Sequence, residues 1–127
     1  GVELESAVYR VFDSLPAFEL TMENTPHNDP GFDAVAFDLD VGEPLLIQIK
    51  AARQPVQLGD VKGLLHLAEQ TAAHALVLTT THLTRSAAGA IEEAKAEGRR
   101  VSAIQLEELT RCVTAEGAEA LLRRELT

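Results

Sequence analysis

The sequence predicts one α/β domain, a mixed central sheet covered by helices on both faces. Three observations carry this. A helix-like segment leads into three strand-like segments; two of those strands are joined by a tight turn; and the remainder alternates between helical and extended periodicity, as β-α-β units do. The 127 residues suffice for one core plus a site, and 46% hydrophobic with 24% charged residues is the balance of a globular chain.

Residues 2–15 place Val2, Leu4, Val8, Val11, Phe12 and Leu15 at near-helical spacing, and Pro16 ends that segment. Residues 17–23 alternate apolar and polar side chains, the pattern of a half-buried strand. The run Asn24-Thr25-Pro26-His27-Asn28-Asp29-Pro30-Gly31 is dense in turn formers and predicts a long loop. Residues 32–40 read as a second strand, Gly42-Glu43-Pro44 as a hairpin turn, and residues 45–51 as a third strand. After Gln54-Pro55 the period changes, with Val61, Leu64, Leu65 and Ala68 forming one apolar helix stripe. Residues 74–80 predict a short buried strand. Thr84 is placed to cap a helix that runs to Glu97 and stops at Gly98. Residues 100–104 give the last strand, Leu106, Leu109 and Val113 line the next helix, and Thr114 caps a final helix through residue 125. The predicted order is α-β-β-β-α-β-α-β-α-α, without repeats or linkers: one domain over residues 1–127.

Composition narrows the function classes. The single cysteine, Cys112, rules out an internal disulfide and reads as a small hydrophobe. With scattered histidines, a structural zinc site is not indicated. His66, His74 and His82 fall on different elements and read as surface or packing residues. No apolar run is long enough to cross a membrane and no secretory signal opens the chain, so a cytoplasmic protein is expected. The start at Gly1, without methionine, leads us to expect a segment of a longer, multidomain protein. The net charge of −9 lies entirely in residues 1–45, where ten acids face Arg10 alone; the rest is neutral. That excess reads as a solvated face or a cation site, and it offers no basic surface for phosphates. Five aromatic residues and no tryptophan give no base-stacking platform, and no Gly-rich loop follows a strand to cradle a nucleotide.

Two strands break their own pattern. Leu45-Leu46-Ile47-Gln48-Ile49-Lys50-Ala51 has the apolar run of a central strand, but Gln48 and Lys50 interrupt it on one face. Lysine is almost never fully buried unpaired, so that face either opens to solvent or meets an anion. Asp33 begins the more apolar face of the neighbouring strand (Asp33, Val35, Phe37, Leu39), and a hairpin about Gly42 brings it near Lys50 and Gln48 at the open end. A purely structural Asp–Lys pair would give the same pattern. A phosphodiester-cleaving centre would too: a divalent cation needs hard oxygen ligands, and lysine can serve the attacking water or the developing charge.

Pro30-Gly31-Phe32-Asp33, with Gln48-Ile49-Lys50 fifteen positions on, resembles the PD-(D/E)xK restriction-endonuclease-like superfamily, and most of all its Mrr-type branch, where glutamine replaces the second acid. The similarity spans residues 4 to about 113. It includes Leu4-Glu5, Pro55-Val56 leading to Asp60-Val61, Leu78-Thr79-Thr80 followed by Leu83-Thr84 and Ala87, and Ile104 to Leu109. The resemblance implies a restriction-endonuclease-like fold and Mg²⁺- or Mn²⁺-dependent DNA cleavage, in restriction or anti-phage defence. It makes Asp33, Gln48 and the Ile49 carbonyl metal ligands, Lys50 the partner of the water, and Glu5 an outer acid. His27, Asn28, Arg53 and Thr80 become candidate substrate contacts, although turn chemistry alone explains Asn28. DNA as partner follows from the same likeness, and cutting two strands without a basic surface leads us to expect a homodimer. The alternative is a nuclease-like fold without activity, serving as an interaction or regulatory module of a larger assembly.

Overall fold

A computed structural model describes residues 2–23, 32–50, 55–112 and 114–126. Its elements follow the predicted order: α1 (Val2–Asp13), β1 (Phe18–Glu23), β2 (Ala34–Asp38), β3 (Glu43–Lys50), α2 (Leu58–Thr71), β4 (His74–Thr79), α3 (Arg85–Ala96), β5 (Val101–Gln105), α4 (Leu106–Thr110) and α5 (Ala115–Leu126). The sheet runs β1-β2-β3-β4-β5, antiparallel across the first three strands and parallel across the last three. It is the mixed, helix-flanked sheet of a restriction-endonuclease-like fold.

Both crossovers, β3-α2-β4 and β4-α3-β5, advance across the sheet in one direction, so a single handedness places α2 and α3 on one face. There Val61, Leu64 and Ala68 pack with Leu46, Val77, Ile91 and Val101. The opposite face carries α1, α4 and α5, whose Val8, Phe12, Leu109 and Leu122 join Leu45, Ile47, Ile49, Leu76, Leu78 and Ile104. All six residues of β4 are buried, the signature of a parallel strand covered on both faces. Thr84 Oγ1 accepts the Ala87 N–H at 3.1 Å, the cap expected of it, and Gly98 ends α3 with φ +82°. Val113, expected to line the helix after β5, lies outside the described residues.

The hairpin corrects the expected turn. Leu39 to Gly42 make the turn, β3 starts at Glu43, and Pro44 lies inside the strand opposite Phe37. Asp38 is the cause. Its Oδ1 accepts the N–H groups of Asp40 (3.1 Å) and Val41 (3.3 Å), and its carbonyl accepts that of Gly42 (2.8 Å), which adopts φ +79°. Pro44 fits because β4 pairs only from Leu45 onward. The face of β2 that reads as more apolar is also the less covered one. Ala34, Ala36 and Asp38 are buried, whereas Asp33, Val35 and Phe37 are half-buried, because the small alanines sit beneath the larger helix layer.

Candidate active site

The site forms where the antiparallel and parallel halves of the sheet meet, at the end of β3. Ala34 pairs with Ile47, and Asp33, just before the paired residues, donates its N–H to the same Ile47 carbonyl, next to Gln48. Alternate residues of a strand share a face, and Lys50 follows Gln48 by two. Gln48 and Lys50 thus share one face of β3, the α2 side, with Leu46.

Asp33 is held through its backbone and its side chain. Its N–H donates to the Ile47 carbonyl at 2.7 Å, and its Oδ2 accepts the Ile49 N–H at 2.7 Å. Tyr9 of α1 donates its hydroxyl to the Asp33 carbonyl at 3.3 Å. The carboxylate therefore lies against the Gln48–Ile49 peptide. The Gln48 Oε1 is buried with no hydrogen-bond partner among the described residues, an unusual state for a strong acceptor.

Lys50 departs from expectation. The anion beside it is Asp60, in the first turn of α2, with Nζ 3.2 Å from Oδ1. Both possibilities for this face are realised, since Lys50 is paired and its side chain also stays 35% exposed. Its carbonyl accepts the N–H of Thr80, just beyond β4, at 3.1 Å. Thr80 is exposed beside the strand end. Glu5 lies within α1, with its side chain outside the described residues, and His27, Asn28 and Arg53 fall wholly outside them. Asp60 is included in the family likeness without being given a role. Its signal is positional: an acid three residues after Gln57, at a helix start that faces the end of the motif strand.

A second polar cluster occupies the other end of β3, roughly 23 Å away along the strand. Arg123 of α5 grips Asp38 with two 2.8 Å bonds, and Arg100 pairs with Glu43 at 2.6 Å. Ser102 donates to the Glu125 carbonyl at 2.7 Å, so it accepts from His74 Nε2–H at 2.9 Å, which fixes the histidine tautomer. Burial, with the nearby Arg100 charge, lowers the His74 pKa to about 4 despite Glu43. His74 is a neutral structural histidine, as its sequence context suggests. A cleft of about 370 Å³ between α2 and α3 is bounded by Lys62, His66, Glu93 and Arg99, and none of Asp33, Gln48 and Lys50 lines it.

The profile of a restriction-endonuclease family, Mrr_cat, matches residues 1–119. The chain belongs to that family. Membership establishes a nuclease-type domain of the PD-(D/E)xK kind and agrees with the mixed sheet. No curated protein and no solved structure matches the chain. No helix among the described residues is long and apolar enough to cross a membrane.

Proposed function

We propose that this Mrr_cat domain is a divalent-cation-dependent DNA endonuclease whose centre consists of Asp33, Gln48, Ile49 and Lys50. The observation that carries the reading is the orphaned Gln48 Oε1, buried on the β3 face that Lys50 shares, while the Asp33 carboxylate is bonded to the N–H of the next residue, Ile49. A hard oxygen acceptor without a donor among the described residues is what a Mg²⁺ or Mn²⁺ ion would complete, and such ions take oxygen ligands while keeping several waters. No three His, Cys, Asp or Glu side chains gather to hold a metal among the described residues, so the donor set would be mixed. Asp33, Gln48 and the Ile49 carbonyl would hold the ion. When bound, it supplies Lewis acidity toward the phosphate and acidifies a water.

The chain's own residues do the rest. Asp33, clamped to the Ile49 N–H, keeps its carboxylate in one orientation. Lys50 stabilises the charge that develops on the phosphoryl oxygens and orients the attacking water. Glu5 would act from the outside, and His27, Asn28, Arg53 and Thr80 would touch the substrate. The net charge of −9 supplies no phosphate-binding surface, so DNA delivery falls to further domains or to a second copy, in restriction or defence. The same charge, with the neutral Gln48, favours one alternative, a nuclease fold kept for interaction.

The test is plasmid cleavage in Mg²⁺ or Mn²⁺ by wild type, Asp33→Ala and Lys50→Ala. Wild type nicks or linearises the plasmid, and each substitution lowers the rate roughly 100-fold or more. Cleavage undiminished in both variants would remove this centre from the reaction. No cleavage, together with no Mn²⁺-induced rise in Tm, would favour the interaction module.

A further inference from the structure

Resting on the nuclease reading above, we infer that Asp60 is a positioning residue for Lys50, acting through a carboxylate that joins the start of α2 to the end of β3. Two bonds define it. Oδ1 pairs with Lys50 Nζ at 3.2 Å, and Oδ2 accepts the N–H of Gln57, the α2 N-cap, at 3.0 Å. The second bond is the reach-back half of a capping box, which fixes the side chain of the third helical residue against its own helix start. Asp60 therefore presents a pre-oriented oxygen to the lysine.

The helix start is itself pinned over the strand. Val56, fully buried, accepts the Thr84 N–H at 3.0 Å and donates to the His82 carbonyl at 3.1 Å. One turn into the helix, Val61 packs in the cluster that holds Leu46 of β3. The position of Asp60 above the strand end is thus set by core packing and not by surface chance.

Lysine needs such a guide. Four rotatable bonds leave its ammonium about 2 kcal/mol of rotamer entropy, and a catalytic cation must sit within a fraction of an ångström of its working place. On Coulombic grounds the pair matters little to stability, since Lys50 and Asp60 are 35% and 24% exposed and exposed pairs contribute about 1 kcal/mol at most. An anion beside a phosphate site also repels DNA. Its placement makes sense as orientation: one of three ammonium donors is held by Asp60, which leaves the other two for water or phosphate.

The experiment pairs a spectroscopic reading with kinetics. The chain has three lysines, Lys50, Lys62 and Lys95, so ¹³C-lysine labelling gives three ε-methylene signals, assigned by Lys→Arg substitution. Asp60→Asn keeps an oxygen for Gln57 and loses the charge; Asp60→Glu keeps the charge and the reach-back bond. In Asp60→Asn the Lys50 signal moves while Lys95 stays, Tm changes little, and kcat on plasmid falls roughly 10- to 100-fold, the usual cost of losing a supporting partner. KM stays level or drops, because a negative charge has left the DNA side, and Asp60→Glu recovers most of kcat. An unmoved Lys50 signal overturns the contact whatever the activity. A moved signal with unchanged or faster cleavage overturns the positioning role and marks Asp60 as a plain ion pair. If wild type fails to cleave at all, the nuclease reading falls and takes the positioning role with it, and a moved signal then records structure alone.

Discussion

In the proposed centre Gln48 sets the charge, and its identity makes a prediction of opposite sign to the usual loss-of-function substitution. Gln48→Glu places a second carboxylate in the proposed centre and strengthens a divalent-cation site. Tenfold tighter binding adds about 1.4 kcal/mol at saturating Mn²⁺, several degrees in a domain of this size. The quantity to compare is the Mn²⁺-induced rise in Tm, which should be larger in Gln48→Glu than in wild type even if the variant starts lower without metal. An equal or smaller rise would mean that position 48 does not face the ion. His74 makes a pH prediction. Its folded pKa, lowered to about 4 from the ordinary 6.5, means that the unfolded chain takes up a proton in that window and the folded chain does not. Stability from this group is complete above pH 6.5 and is lost as pH falls toward 4. Urea midpoints measured at pH 7 and 4.5 should show a drop that His74→Gln reduces; an identical drop would assign the acid sensitivity elsewhere. At this scale the sequence exposed Asp33, Gln48 and Lys50, because strand alternation makes a polar pair in an apolar run conspicuous. It hid Asp60, whose contact depends on how α2 lies over β3, and no local pattern encodes that angle.

At the scale of elements, alternation and helical period were enough for order and type, and caps such as Thr84 and Gly98 marked ends. The hairpin turn was misplaced because Gly-Glu-Pro reads as a turn in isolation. In the fold the Asp38 carboxylate, acting from two residues earlier, gathers the N–H groups of Asp40 and Val41. That shift also moves the register, so that Ala34 lies opposite Ile47 and Asp33 bonds Ile47 and Ile49. Gly42 is the turn's pivot. Its φ of +79° strains any residue with a Cβ, while the space around a Cβ there is open. Gly42→Ala should therefore cost about 1–2 kcal/mol from backbone strain alone. Chemical denaturation measures it, and a neutral result would contradict the left-handed turn.

Across the whole molecule, residues distant in sequence close the structure around the sheet. Arg123, 85 positions from Asp38, clamps α5 to the β2–β3 hairpin and stacks over Phe18 at 4.8 Å. Burial alone would raise the Asp38 pKa, but the Arg123 hydrogen bonds and charge, aided by the turn amides, bring it below the ordinary carboxylate value. Arg123→Met leaves the nearly fully buried Asp38 without its cation and should destabilise the fold by about 3 kcal/mol. A loss under 1 kcal/mol in the same denaturation assay would mean that α5 is held by its apolar face alone. No sequence pattern announces this long-range pair, whereas the apolar periodicity that builds the two helix layers is plain. The proposed centre depends on the meeting of β2 and β3, which brings the carboxylate of Asp33, just before β2, against the Gln48–Ile49 peptide of β3. Crystals soaked in Mn²⁺ test that most directly. The account predicts one anomalous-difference peak about 2.1 Å from an Asp33 carboxylate oxygen and from Gln48 Oε1. Gln48 Oε1 away from the ion, or no peak on this face, would contradict it.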